Sequence, residues 1–376
     1  MPANLITRYL RKAYTSFATH VYDIPPRMLA FLMLIMFAVL PYAGIGTGFL
    51  SSILTPANLM AILAVSWDLL VGRTGQISLG HALFFGMGAY TTALLYKYLA
   101  WPIWITIPLS LIVGVAVALI IGVPSLRVKG PYLALVTMAF PIAVVGFLYY
   151  YSDIFGGEGG IMRLPRIFPT LPMYNRIIAD YYLSLALMTL SSIIIYKIAT
   201  SKTGMVFVSI LDDELGTKAC GINVTKYKIM SFAISGLFGS LSGAFYAHMI
   251  MRAANPRYFL DITALIPMEY SIIPIAATIL GGIGTIYGPI VGVYIYYLLD
   301  KYIFAQLNAY LSRYAIVIDP HMQLLIFFTV IVLLIIKWPR GIARALVEKL
   351  EDLEEPREIE EIEKEKAKKR KDSVGA

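Results

Sequence analysis

The chain alternates long apolar runs with short breaks of glycine, proline and charge. Uncharged stretches extend over 28–67, 98–126, 132–152, 229–251 and 270–299. A helix needs roughly 20 mostly apolar residues to cross a bilayer, and several of these stretches are longer than that. They are apolar throughout and do not alternate with period two, so they predict helices and not the strands of a membrane barrel.

Breaks at glycine, proline and charge divide the chain into about ten transmembrane segments. The predicted segments are 28–50, 57–71, 80–99, 103–123, 132–151, 181–199, 229–251, 266–283, 288–304 and 321–338. The sequence therefore predicts an all-α, multi-pass helical membrane protein in which some helices are broken at glycines. An even number of segments places both termini on the same side of the membrane.

Composition and charge agree with this class and orient the chain. The protein is 59% apolar and 14% charged, against roughly a quarter charged in soluble domains. If the N-terminus is inside, the inner loops hold about twice as many lysines and arginines as the outer loops. That bias predicts cytoplasmic termini, and it explains the net charge of +8 without a nucleic-acid partner.

The charge pattern also suggests three regions. We expect a cytoplasmic N-terminal segment (1–27), a transmembrane domain (28–338) with an inner loop at 200–228, and a charged cytoplasmic tail (339–376). The first apolar run is long and lacks a small-residue cleavage pattern, so it is expected to be an uncleaved span. Leucines and isoleucines at helical spacing in the tail predict a solvated amphipathic helix, with partner contact as the alternative.

A glycine-rich break, GRTGQISLGH, lies between the second and third segments. Within lipid, irregular backbone persists only where it is buried in protein or lines a watery cavity. The break therefore predicts a substrate path, and the candidate residues are Gly72, Thr74, Gly75, Gln76, Ser78, Gly80 and His81. The alternative is a tight turn between two helices, with Gly86 and Gly88 serving close helix packing.

A second break, LGGIGTIYGP, lies in the other half of the chain and adds Gly281, Gly282 and Gly284 to the candidates. Paired interruptions of this kind are typical of transport paths. The ionisable residues Asp68, His81, His248, Glu269 and Asp300 lie toward segment ends, where we expect them to reach water or head groups. The sequence predicts no metal site, no cofactor and no catalytic constellation, and it has no phosphate loop.

The inner loop predicts one short helix outside the membrane. Asp212, Asp213 and Glu214 would begin it, and Gly221 would follow it as a left-handed cap. Thr225 is the expected cap of the next span. Such a helix suits the docking of a partner, and an ordinary connecting loop is the alternative.

Several stretches together resemble one family of transporters. They are GRTGQISLGHALFFGMGAYTTALL, RVKGPYLALVTMAF, GGEGGI, GINVTKYKIMSFAISGLFGSLSGAFYAH, LGGIGTIYGPIVG and WPRGI. In this order they resemble the longer (LivM-type) permease subunit of ATP-binding-cassette importers for branched-chain amino acids, over roughly 58–344. The resemblance implies a second related permease, two cytoplasmic P-loop ATPases that hydrolyse the ATP, and an external substrate-binding protein. It makes the loop residues Asp212, Asp213, Glu214 and Gly221 candidates for coupling to the ATPases.

Two alternatives remain open on the sequence alone. Related permeases carry urea, short amides or other amino acids, so the substrate is not fixed by the resemblance. A stand-alone secondary transporter would need an internal coupling carboxylate, for which Asp68 and Glu269 are the candidates.

Overall fold

A computed structural model describes residues 39–43, 46–126, 128, 130–157, 160–161, 164–251, 269–314, 319–338 and 341–345. Every regular element within these ranges is a helix, which confirms the all-α class. The predicted N-terminal segment, most of the first predicted span and the predicted tail helix lie outside the described residues.

Twelve main helices are numbered here in chain order. They are α1 (Thr55–Thr74), α2 (His81–Leu99), α3 (Ile103–Ser125), α4 (Pro131–Tyr150), α5 (Met173–Ala199), α6 (Lys202–Asp212), α7 (Glu214–Ala219), α8 (Val224–Tyr246), α9 (Glu269–Gly281), α10 (Tyr287–Leu298), α11 (Phe304–Leu311) and α12 (Pro320–Lys337).

Six helices of the described part are long and apolar enough to cross a membrane. They contain α1, α3, α4, α5, α8 and α12, and they confirm a multi-pass membrane protein. A π-helical turn at Leu50–Leu54 extends α1 backwards into a span of 28 residues, Thr47–Thr74. The helix α5 begins at Met173, directly after Pro172, and so earlier than predicted, because its first turns carry polar residues that a search for apolar runs omits.

Helix α1 lies at the centre of the protein. Almost every side chain from Thr55 to Leu70 is buried, and α1 packs against α5, α8, α9 and α10. Helix α8 fills the other side of the core against α1, α2 and α3. A Cβ atom on Gly88 would lie 2.1 Å from the carbonyl oxygen of Ser240, so small residues allow α2 and α8 to approach closely.

The course of α5 defines the two ends of the bundle. Its 27 residues extend over about 40 Å at 1.5 Å per residue. Helices α6 and α7 follow its C-terminal end, so we call this the α6 end. Met173 marks the opposite end, toward which α1 begins and α8 finishes.

Candidate functional site

The first glycine-rich break is shorter than predicted and turns back into the protein. Helix α1 continues through Gly72 and Thr74 and ends at Gly75, whose φ of +68° is left-handed. Only residues 75–80 are not helical, so the assignment of Gly72 and Thr74 to an irregular segment is wrong. Both residues are helical because α1 remains packed in the core up to its last turn.

Hydrogen bonds show how far the chain returns. His81 Nε2 lies 2.7 Å from Ser235 Oγ, and this hydroxyl donates to the carbonyl oxygen of Ser66 at 2.6 Å. Ser66 stands eight residues before the end of α1, a rise of about 12 Å. Residues 75–80 therefore form a re-entrant segment, and α2 begins inside the bundle.

Helices α1 and α4 hold the end of the re-entrant segment in place. Trp67 Nε1 on α1 donates to the carbonyl oxygen of Ser78 at 2.8 Å. The amide of Leu79 donates to Thr137 Oγ1 on α4 at 3.0 Å, and a Cβ atom on Gly80 would lie 2.5 Å from the carbonyl oxygen of Thr137. The segment therefore joins α1 to α2 while it is held inside the bundle, and Gly88 serves close helix packing as the alternative interpretation expected. A role of the segment in a substrate path stays a prediction.

The buried amide of Gln76 has a defined orientation. Its Nε2 lies 2.8 Å from Thr74 Oγ1 and 3.2 Å from Ser231 Oγ. Both hydroxyls already donate their protons, to the carbonyl oxygens of Leu70 and Lys228, so the amide must present its NH₂ to them. Gln76 Oε1 then points elsewhere as an acceptor, and no donor among the described residues reaches it.

The same reasoning assigns the tautomer of His81. The proton of Ser235 is committed to Ser66, so His81 Nε2 must carry the hydrogen that it shares with Ser235. Nδ1 is then an acceptor, fully buried and without a donor in the described part of the chain. The re-entrant segment and the first residue of α2 thus carry two interior acceptors, on Gln76 and His81, that can receive hydrogen bonds.

The second glycine-rich break meets the first. Asp68 Oδ1 accepts a hydrogen bond of 2.7 Å from the amide of Gly284, in the turn between α9 and α10. A Cβ atom on Gly72 would lie 2.7 Å from that amide nitrogen. Gly281 faces Gly288 where α9 and α10 cross, and Gly282 packs against Gly341. Gly72 of the first break therefore lies against Gly284 of the second, near the α6 end of the bundle.

The expectation that the ionisable residues reach water fails for three of them. Asp68 is 2% exposed, and His81 and His248 are equally buried, because α1, α2 and α8 form the core. His248 contacts the carbonyl oxygen of Pro165 and the hydroxyl of Thr92. Asp300 pairs with Lys301 at 2.8 Å, and the side chain of Glu269 lies outside the described residues. No metal-ligand cluster occurs within the described residues.

The inner loop forms two helices where one was predicted. Asp212 ends α6, and Asp213 caps α7 by accepting hydrogen bonds from the amides of Leu215 and Gly216 at 3.0 Å. Glu214 pairs with Lys228 at the start of α8, at 2.8 Å. The chain breaks at Asp213 because its short side chain hydrogen-bonds the following backbone, which competes with a continuous helix.

The two predicted caps after α7 have different outcomes. Gly221 has a φ of +81°, which confirms the left-handed conformation. The cap of α8 is Asn223 and not Thr225, since Asn223 Oδ1 accepts from the amide of Lys226 at 3.0 Å. Asn223 directly precedes the helix, so its side chain can reach the first amides, whereas Thr225 already lies inside the first turn.

Helix α6 also contacts the re-entrant segment directly. A Cβ atom on Gly75 would lie 3.0 Å from Leu211 Cδ1, and α6 packs against α1. On the outer surface of this helix pair, Leu215 is 72% exposed and Met205 is 63% exposed. The loop therefore touches the interior break on one face and presents apolar side chains on another.

Several contributors to the site were missed in the sequence. Thr137, Ser231, Ser235 and Ser271 are small polar residues inside long apolar helices, and each contacts residues 76–82. Ser231 and Ser235 are four residues apart on α8, and so lie on one face of that helix. That spacing is the signal by which they could have been found.

Comparison with known proteins assigns the family. Residues 49–335 match the family of the branched-chain amino acid transport system permease component. The LivM permease protein of the high-affinity branched-chain amino acid transport system of Salmonella typhimurium is 30% identical over 220 residues, 52% of this chain and 51% of that protein. A probable LivM protein of Methanocaldococcus jannaschii is 26% identical over 242 residues, covering 63% of this chain and 67% of that protein.

Other relatives differ in their named substrates. The guanosine transporter permease NupQ of Bacillus subtilis is 24% identical over 225 residues, 53% of this chain and 68% of that protein. The chain spans about half the length of the two enterobacterial LivM proteins that it matches. No solved structure matches it. The family model and the apolar helices make this a multi-pass inner-membrane protein, and the chain belongs to the family of permease components of branched-chain amino acid transport systems.

Proposed function

We propose that the chain is a permease subunit of an ATP-driven importer and forms part of the translocation path for branched-chain amino acids. The observation that carries this proposal is the meeting of the two glycine-rich breaks at Asp68, Gly72 and Gly284. Paired glycine-interrupted segments in the two halves of a membrane protein are typical of substrate paths.

The path would include the re-entrant segment and the turn between α9 and α10. Gln76 Oε1 and His81 Nδ1 are interior acceptors, and an amino acid carries an ammonium group that can donate to them. Thr74, Ser78 and Gly80 position these residues through the contacts of the segment, and Gly281 and Gly282 shape the facing turn.

Helices α6 and α7 would couple the path to ATP hydrolysis. The exposed Leu215 and Met205 suit an apolar groove on a cytoplasmic partner, and Leu211 reaches Gly75 on the opposite face. In this arrangement Asp213 and Glu214 do not serve as contacts for the partner. They keep the loop rigid, through the cap of α7 and the ion pair with Lys228.

The assembly that fits this function contains further chains. We propose a second related permease, two P-loop ATPases that perform the hydrolysis, and an external substrate-binding protein, with no nucleic acid. We also propose ten spans surrounded by lipid within 28–338, with the N-terminal 1–27, the loop 200–228 and the tail 339–376 in the cytoplasm. The six long apolar helices support part of that arrangement.

Reconstitution of the complete assembly in liposomes tests the proposal. Radiolabelled leucine, isoleucine and valine should enter only with ATP inside and the binding protein outside. Uptake of guanosine or urea in their place would favour a second candidate, a permease for another solute, which the NupQ relative keeps open. Uptake without the ATPases would favour a secondary transporter. Against that reading, the Asp68 carboxylate is already engaged by the amide of Gly284.

A further inference from the structure

A cavity of about 380 Å³ opens at the end of the bundle opposite α6. Its wall comes from the start of α1 (Ser51, Thr55), the start of α5, the residues after α8 and Arg166 in the loop before α5. Sites for small molecules have volumes of about 300–1,000 Å³, so the cavity can hold a small solute. It lies at the opposite end of the bundle from the contact between Gly72 and Gly284.

One face of α5 supplies four of the side chains that line this cavity. Met173, Arg176, Ile177 and Asp180 are spaced at i, i+3, i+4 and i+7, which places them on a single face of a helix. Two of these side chains are charged and two are apolar. Arg176, Ile177 and Asp180 are half-buried, and charged groups that are partly removed from water are stabilised by a partner of opposite charge.

The charged side chains that line the cavity do not form ion pairs with one another. Arg166 and Arg176 are near enough to Asp180 to act on it electrostatically, yet none of the three forms an ion pair with a described residue. Two guanidinium groups and one carboxylate therefore face the same space. Guanidinium groups bind carboxylates by paired hydrogen bonds, and a carboxylate binds an ammonium group.

We propose that this cavity is a binding site for a free α-amino acid with an apolar side chain. Arg166 and Arg176 receive the α-carboxylate and Asp180 receives the α-ammonium group. The side chain of the solute lies against Ile177 and Met249. The choice of an apolar amino acid rests on the proposed function, and the site would hold the solute before it reaches the glycine breaks.

Binding to the purified membrane assembly without its external binding protein tests the site. Leucine should bind, and its analogues lacking one charged group, 4-methylpentanoate and 3-methylbutylamine, should bind at least about tenfold more weakly, as expected for a lost charged hydrogen bond. Arg176→Gln should weaken leucine about tenfold and leave 3-methylbutylamine unchanged. Asp180→Asn should weaken leucine similarly and leave 4-methylpentanoate unchanged. Lys197→Gln, exposed at the other end of α5, is the matched control and should bind leucine like the parent.

The outcomes separate this proposal from the proposed function. If the assembly imports branched-chain amino acids but binds no amino acid without the binding protein, the cavity proposal is wrong and the function stands. If leucine binds equally well to the parent and to both cavity variants, the site is elsewhere and the proposal also fails. If the assembly imports no branched-chain amino acid, the proposed function fails. In that case, weaker binding of another apolar amino acid to the two cavity variants than to the parent supports the cavity proposal, and equal binding contradicts it.

Discussion

Replacing Gly72 by alanine should force the two glycine breaks apart. The added Cβ would lie 2.6 Å from Asp68 Oδ1 and 2.8 Å from the Cα of Gly284. Backbone cannot move aside as a flexible side chain can, so overpacking should cost about 1–3 kcal/mol. If the Asp68–Gly284 hydrogen bond is also lost, a further cost of about 1.5–3 kcal/mol is expected for a bond to a charged group.

A matched control exists in α4. Gly146 is also a helical glycine, but a Cβ atom there would meet nothing within 4 Å. Both substitutions gain helix propensity, by about 1 kcal/mol, so the difference between the two variants isolates the contact. Gly72→Ala should lower the Tm of the detergent-solubilised assembly relative to Gly146→Ala, and it should reduce uptake per assembled complex. Equal Tm and equal uptake in the two variants would refute the contact between the breaks.

Three further predictions concern the re-entrant segment, the coupling loop and the topology. Gly75→Val should abolish most uptake, because valine resists a φ of +68° and collides with Leu211. Gly75→Asn should retain more uptake, since asparagine tolerates that conformation, and equal uptake in both variants would contradict this reasoning. Leu215→Glu should leave the insertion of the permease intact and reduce co-purification of the ATPases, and unchanged co-purification together with unchanged uptake would make the loop a connector. The exposed thiol of Cys220 should react with an impermeant maleimide only from the cytoplasmic side, and Asp153→Cys in a Cys220→Ser background only from outside. Labelling of both positions from one side would overturn the proposed topology.

The helices could be predicted from the sequence because lipid imposes long apolar runs. The predicted segments from 57–71 onward coincide with helices, whereas the start of α5 was missed because Arg176 and Asp180 interrupt its hydropathy. These residues line a cavity, so their polarity reflects a local environment and not the end of a helix.

The candidate site could be predicted only in part. Glycine runs marked where the backbone departs from a helix, but they could not indicate that residues 75–80 return to the level of Ser66. That course depends on hydrogen bonds to Ser235 and Thr137, which are distant in sequence. The same limit applies to the acids of the inner loop. Asp213 and Glu214 do begin a helix as predicted, whereas Asp212 ends α6. The ion pair of Glu214 with Lys228 depends on a contact between two helices that the sequence does not show.

The single hydroxyl of Ser235 links three helices, since it joins His81 at the start of α2 to Ser66 on α1 from its own place on α8. Helix α8 is also the element to which α7 is held, through Lys228. Suppose that binding of the ATPases at Leu215 changes the affinity of the permease for its solute by some factor. Thermodynamic linkage then requires the solute to change the affinity of the permease for the ATPases by the same factor. A solute in the path would therefore be detectable at the cytoplasmic surface as a changed affinity of the assembly for its own ATPases.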